Sequence, residues 1–138
     1  MLKLEIPTEI FEEMLEQART EAPIECCGIL AGSGDRVEKL YKMTNAENRH
    51  DHYMMAPEQQ FAAVKDIRSN ALEMLAIYHS HPETPARPSA EDIELALTPN
   101  VVYVILSLQG NNIPVAKGFQ IEDGTVNEVA VNITEDKK

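Results

Sequence analysis

The sequence predicts an α/β domain built on a mixed β-sheet flanked by helices. Three observations carry this. Apolar residues recur at helical spacing in separate stretches of the chain. Short runs of strand formers, such as VVYVILSL at 101–108, are bounded by Gly, Asn and Asp turn signals. Helical and extended stretches also interleave along the chain, an order that places helices on the faces of a sheet.

Residues 7–20 (PTEIFEEMLEQART) put Ile10, Phe11, Met14, Leu15 and Ala18 at helical spacing, with Thr8 as the expected N-cap. Residues 25–31 read as a buried strand. Gly32-Ser33-Gly34-Asp35 then makes a hairpin turn into a second strand at 36–44. An irregular stretch runs through 45–56. Pro57 opens a helix over 57–70, where a proline is tolerated at the first position. Leu75, Ala76, Ile77 and Tyr78 form a short apolar strand that ends at His79. Ser89 begins a further helix, expected to end near Thr98-Pro99-Asn100. Strands at 101–108, 113–121 and 125–133 close the chain, with Gly110-Asn111-Asn112 and Asp123-Gly124 as turns. Residues 134–138 read as a frayed polar tail, and 1–138 as one domain.

Composition narrows the function. A chain of 138 residues can bury a real core, and 43% hydrophobic with 25% charged residues is ordinary for a soluble globular protein. No run approaches the roughly 18 apolar residues of a membrane span. The opening MLKLEIPTEIFEE lacks a signal peptide's apolar stretch, so a cytoplasmic location is expected. The net charge of −11 argues against nucleic acid as partner, because phosphates call for a basic surface. The only cysteines, Cys26 and Cys27, are adjacent and offer no disulfide framework. Both are expected as buried thiols without a catalytic part.

The richest segment is LAIYHSHPETPARPSAEDIELAL. On a strand, His79 and His81 project from the same face and can offer two imidazole nitrogens to one ion. A proline-rich connection leads to Ser89-Ala90-Glu91-Asp92, which has the form of a capping box. Asp92 falls in the first helical turn, where it could supply a third, carboxylate ligand. Two histidines and one carboxylate leave a fourth tetrahedral position open, the pattern of a catalytic zinc. Ser80 points away from the histidine face and reads as a packing or hydrogen-bonding residue. A second pair, His50-Asp51-His52, lies in a polar stretch with no strand to align its rings, and reads as an exposed loop.

The pattern of H-S-H, seven residues, Ser, two residues, Asp, with an upstream glutamate in APIECCGILAG, resembles the JAMM (MPN-plus, JAB1/MPN/Mov34) metalloprotease signature. Glu25, His79, His81, Ser89 and Asp92 match its five elements, and the element order covers most of the chain. The resemblance implies an α/β sandwich related to cytidine deaminases, with one zinc ion at the end of the central strands. It assigns His79, His81 and Asp92 as ligands and Glu25 as general base and then general acid. Ser89 would stabilise the oxyanion, although a purely capping part stays open for it. A zinc deaminase is disfavoured, because H-x-E and P-C-x-x-C are missing. Ala56 stands where bacterial members often have Asp before the helix proline.

The chain is close to a bare domain of this kind. Small prokaryotic members of the family release amino acids or peptides from ubiquitin-like sulfur carrier proteins, which end in Gly-Gly. The resemblance therefore implies a ubiquitin-like sulfur carrier as substrate partner. Two alternatives remain: a RadC-type DNA-repair-associated JAB domain, which shares H-P…P-S-x-x-D, and a non-catalytic MPN scaffold. The acidic charge weighs against the first, and the complete residue set against the second. Tyr53, Met54 and Met55 precede the second helix, and the two methionines are expected in the core.

Overall fold

The structure is a computed structural model that describes residues 3–47, 53–109 and 114–135. Its elements run β1 (Lys3–Pro7), α1 (Thr8–Glu21), β2 (Cys27–Ser33), β3 (Arg36–Met43) and α2 (Pro57–Ser69). They continue with β4 (Glu73–His81), α3 (Ala90–Glu94), β5 (Val102–Ser107), β6 (Val115–Glu122) and β7 (Thr125–Thr134). The strands follow the spatial order β1-β3-β2-β4-β5-β6-β7, and β1 closes the sheet by pairing with both β3 and β7. Parallel β4–β5 and β1–β7 pairs stand among antiparallel hairpins, so the sheet is mixed as expected.

Alternation along the strands divides the core in two. Leu30, Tyr78, Val104 and Leu106 face Met14 and Ala18 of α1, together with Leu4 and Ile6 of β1. Their neighbours Ile29, Ile77 and Ile105 face the other way, against Ala63 and Ile67 of α2. Strand β4 lies centrally and is buried from Leu75 through His81. Its C-terminal end therefore delivers both histidines into a desolvated place.

A buried polar latch joins α1 to this sheet. The Tyr78 hydroxyl donates to Gln17 Oε1 at 2.6 Å, and Gln17 Nε2 donates to the Cys27 carbonyl at 3.1 Å. Buried polar groups persist only when so satisfied. Gly28 pairs with Tyr78 across the β2–β4 ladder, and a methyl group on it would fall inside the phenol ring.

The structure differs from the sequence expectations at several points. Strand β1 was not anticipated, because its short alternation of Leu4 and Ile6 runs straight into the helical pattern. Thr8 is not the N-cap of α1. Pro7 holds that position without a side-chain cap, and the Thr8 hydroxyl donates instead to the Thr134 carbonyl at 3.0 Å. The same contact shows that Thr134 ends β7 rather than starting the tail; residues 136–138 lie outside the described residues. Strand β2 begins at Cys27, two residues beyond Glu25. Helix α3 stops at Glu94, well short of 98–100. Past Glu94 the backbone leaves the helical ladder: the Leu97 N–H bonds to the Leu95 carbonyl at 2.9 Å and the Thr98 N–H to the Tyr103 hydroxyl at 2.9 Å, just before Pro99, which disfavours helical backbone in the residue ahead of it. The Asp123-Gly124 turn is as expected, with φ of 51° and 80° at its two central residues. The Gly110-Asn111-Asn112 turn and the His50-Asp51-His52 pair lie outside the described residues.

Gly28→Ala is expected to lower unfolding free energy by about 1–3 kcal/mol through overpacking against Tyr78. Urea unfolding checks it; an unchanged midpoint would show that the ring yields without cost.

Candidate metal centre and active site

Strand β4 carries His79 and His81 on one face, and Ser80 between them on the other. The Ser80 Oγ accepts the Cys26 N–H at 2.8 Å, while the Ser80 N–H donates to the Cys26 carbonyl at 3.0 Å. Ser80 is thus the hydrogen-bonding residue expected. Through it, the segment that begins with Glu25 is pinned beside the histidine pair. Glu25 is only 5% exposed, and its charge is felt at His81.

Asp92 arrives from α3. Its N–H donates to Ser89 Oγ at 3.0 Å, and its Oδ2 accepts the Ser89 N–H at 3.0 Å, completing the capping box. The reciprocal pair fixes the carboxylate in the first turn. Asp92 Oδ2 lies 3.0 Å from His81 Nε2 and 3.3 Å from His79 Nε2, and the two Nε2 atoms are 3.2 Å apart. His79, His81 and Asp92 form a possible metal site, with one ligand atom from each converging within 4.8 Å. Glu25 stands outside that donor set.

The donor chemistry fits a divalent cation. His81 Nδ1 donates to the Pro85 carbonyl at 2.8 Å, because a carbonyl can only accept. That bond leaves Nε2 facing the other donors, the outer-shell arrangement common in metal-binding histidines. His79 is held differently. Its ring stacks on Tyr53 at 4.6 Å between centroids and 21° between planes, and its Nδ1 has no hydrogen-bond partner among the described residues. Burial pushes the His79 pKa down, which favours the neutral, ligating form. Burial pulls His81 down too, but the Asp92 hydrogen bond and the Pro85 carbonyl outweigh it and leave its pKa raised. Burial would raise Asp92; hydrogen bonds from His79 and His81 reverse this and hold the carboxyl well below the usual range.

Two residues at the site carried no sequence signal. Tyr53 follows an irregular stretch, and its position over His79 exists only in three dimensions. Asn45 is 6% exposed and donates from Nδ2 to the Glu25 carbonyl at 3.0 Å. Its Oδ1 accepts the N–H groups of Glu47 at 3.0 Å and Met54 at 3.1 Å. One amide thereby fixes the backbone of Glu25 and the strip that bears Tyr53. An Asn among turn residues gives no such warning. Of the two methionines expected in the core, Met55 is buried but Met54 is 52% exposed and lines the cavity at the site. Cys26 and Cys27 are buried free thiols on opposite faces. Burial pushes both up to about 12.

The fold, the paired histidines at the end of a central strand and the capped aspartate define a JAB-type domain. Residues 7–119 match the family model for prokaryotic homologues of the JAB domain. The chain belongs to this family. Its relatives include the CysO-cysteine peptidase of Mycobacterium tuberculosis, 34% identical over 134 residues, covering 96% of this chain and 92% of that protein. A desampylase of Haloferax volcanii is 34% identical over 115 residues, covering 78% of this chain and 83% of that protein. Among solved structures, a protein from Desulfitobacterium hafniense superposes with a TM-score of 0.87 at 42% identity, covering 96% of this chain and 94% of that one. The named relatives are thus peptidases and desampylases that match over most of their length. None of the helices among the described residues is long and apolar enough to cross a membrane.

Asn45→Ala removes the donor to the Glu25 carbonyl and strands two N–H groups. A loss of about 1–3 kcal/mol is expected. Chemical denaturation measures it, and wild-type stability would show that the strip is held by other contacts.

Native protein at pH 8 should also resist alkylation of Cys26 and Cys27. Thiols raised to about 12 stay protonated four units below that value, and only the thiolate is nucleophilic. Mass spectrometry after iodoacetamide should show labelling only in denaturant; rapid native labelling would contradict the burial.

Proposed function

We propose that this chain is a zinc-dependent peptidase that hydrolyses the amide bond after the C-terminal Gly-Gly of a ubiquitin-like sulfur carrier protein. The single observation that carries the reading is the convergence of His79, His81 and Asp92 at one point on a fold whose relatives are peptidases. Residues 1–138 are read as one catalytic domain, supported by a family match that spans 7–119.

His79 Nε2, His81 Nε2 and an Asp92 carboxylate oxygen would hold the ion. Zinc suits two imidazoles and a carboxylate with one position left open. When bound, it supplies Lewis acidity and lowers the pKa of its water to about 7.

The chain's own residues do the rest. Glu25, held beside the histidines but outside the donor set, takes the proton of the attacking water and returns it to the leaving amine. The C–N bond breaks, the water oxygen stays on the glycine carbonyl carbon, and the amine leaves protonated. Burial of Glu25 keeps bulk water from short-circuiting that transfer. Ser89 accepts the Asp92 N–H through its Oγ, so its own proton remains free to donate to the oxyanion. Its capping contact and its proposed catalytic part are compatible. The Gly-Gly tail, without side chains, can lie extended next to the ion's ligands.

The purified protein should bind one zinc per chain, and His79→Ala with His81→Ala should abolish binding; metal analysis decides. Glu25→Gln should retain zinc while turnover of a carrier extended beyond Gly-Gly falls by about 10²–10⁴-fold. Ser89→Ala should retain zinc and lose about 10²–10³-fold if its hydroxyl serves the oxyanion. Mass spectrometry of the carrier reads out cleavage after the second glycine, which a chelator should stop. Full zinc in the double histidine variant, or a fully active Glu25→Gln, would sink the assignment.

A further inference from the structure

A cavity of about 400 Å³ opens directly on the candidate metal centre. His79 and Asp92 form part of its wall, and Tyr53, Met54, Leu95 and Ile121 form much of the remainder. With two candidate metal donors in its wall, the cavity adjoins the point where the scissile bond would lie. Its walls are fixed: Tyr53 stacks on His79, and Tyr103, which also lines it, is bonded through its hydroxyl to Thr98. Its rim is apolar and uncovered. Met54 is 52% exposed, Leu95 49% and Leu97 80%. Concave apolar space with a few polar groups at one end is the form of a ligand pocket.

A peptidase that cuts after Gly-Gly finds no side chain in the two residues on the acyl side of its scissile bond. An apolar cavity against the metal donors therefore has no occupant from those two residues. We propose that it receives the side chain of the residue on the leaving side, and that it selects an apolar one. This rests on the carrier-peptidase reading above and names what that enzyme would release. Charge weighs against an acidic occupant. Glu91 borders the cavity, and the chain's net charge is −11, so an acidic side chain would enter against repulsion and lose its hydration. An aliphatic or aromatic side chain instead covers Leu95 and Leu97, and transfers its own surface out of water.

The test uses one ubiquitin-like carrier ending in Gly-Gly-X, with X as Gly, Leu, Phe, Lys or Asp, and the zinc-loaded protein. Leu and Phe should exceed Asp, Lys and Gly in kcat/KM by about 10-fold or more, the discrimination an apolar pocket supplies, whereas a preference for Lys would overturn the apolar selection. Leu97→Asp, at an exposed position where folding is not at stake, should move the Leu-to-Asp ratio towards one or below it. Binding of the intact carriers to Glu25→Gln protein, measured by calorimetry, should follow the same order without turnover. Equal rates and affinities for all X would overturn the inference and leave the carrier reading standing. So would a preference set by the residue before Gly-Gly. No cleavage of any carrier would overturn the carrier reading, and this inference with it.

Discussion

The pair of hydrogen bonds between Cys26 and Ser80 is the constraint on which the site depends: the Cys26 N–H donates to Ser80 Oγ at 2.8 Å, and the Ser80 N–H donates to the Cys26 carbonyl at 3.0 Å. It extends the β2–β4 pairing past the regular ladder and sets the Glu25 segment at the level of His79 and His81. Glu25 enters the sheet with its backbone held on both sides, by Ser80 through Cys26 and by Asn45 through its carbonyl. A carboxylate proposed to move protons needs that fixity, since a loose base loses the proximity it would contribute. The alternation of β4 supplies the economy of the arrangement. Ser80, facing away from the histidines, does the positioning, and its two neighbours carry the donors.

Asp92 reaches the same point by different physics. Helix α3 has only five residues, Ala90–Glu94, too few to be stable from helical propensity alone. What defines its first turn is the reciprocal Ser89–Asp92 cap. The cap and the histidines share one carboxylate oxygen, Oδ2. The local capping contact is therefore also what aims the candidate ligand. The short helix has a consequence. Because it stops at Glu94, Leu95 and Leu97 leave the helical path and stay exposed as the rim of the cavity beside the donors.

The two histidines are supported unequally. His81 has a hydrogen-bonded partner behind it in the Pro85 carbonyl, supplied by the proline-rich connection immediately after the strand. His79 has none at Nδ1 among the described residues and relies on burial and the Tyr53 face. Burial favours the neutral ring, and stacking fixes its plane. The strip bearing Tyr53 is held in turn by Asn45, which also holds Glu25. Orientation of a candidate ligand and placement of the proposed base thus meet in one buried amide.

The sequence by itself determined the class of fold, the histidine pair, the capped aspartate and Glu25. Each rests on short-range rules: alternation along a strand, reciprocal bonds across one helical turn, and a motif whose residues are few and ordered. Tertiary structure alone decided the rest. Strand β1 exists because Lys3–Pro7 finds β7, 127 positions away in the register Lys3↔Ala130, and no local pattern encodes that partner. Thr8 is a good cap by local rules, yet its hydroxyl goes to Thr134 because chain closure brings that carbonyl within reach. The helix after Ser89 carries an apolar pattern long enough for more turns, but the backbone leaves the helical ladder after Leu95, and the Thr98 N–H goes to the Tyr103 hydroxyl. Asn45 and Tyr53 act across gaps in sequence, through an amide and a ring face that any loop could contain. Short-range bonding is legible in a chain because its partners are neighbours; long-range bonding becomes legible only when folding has chosen the partners.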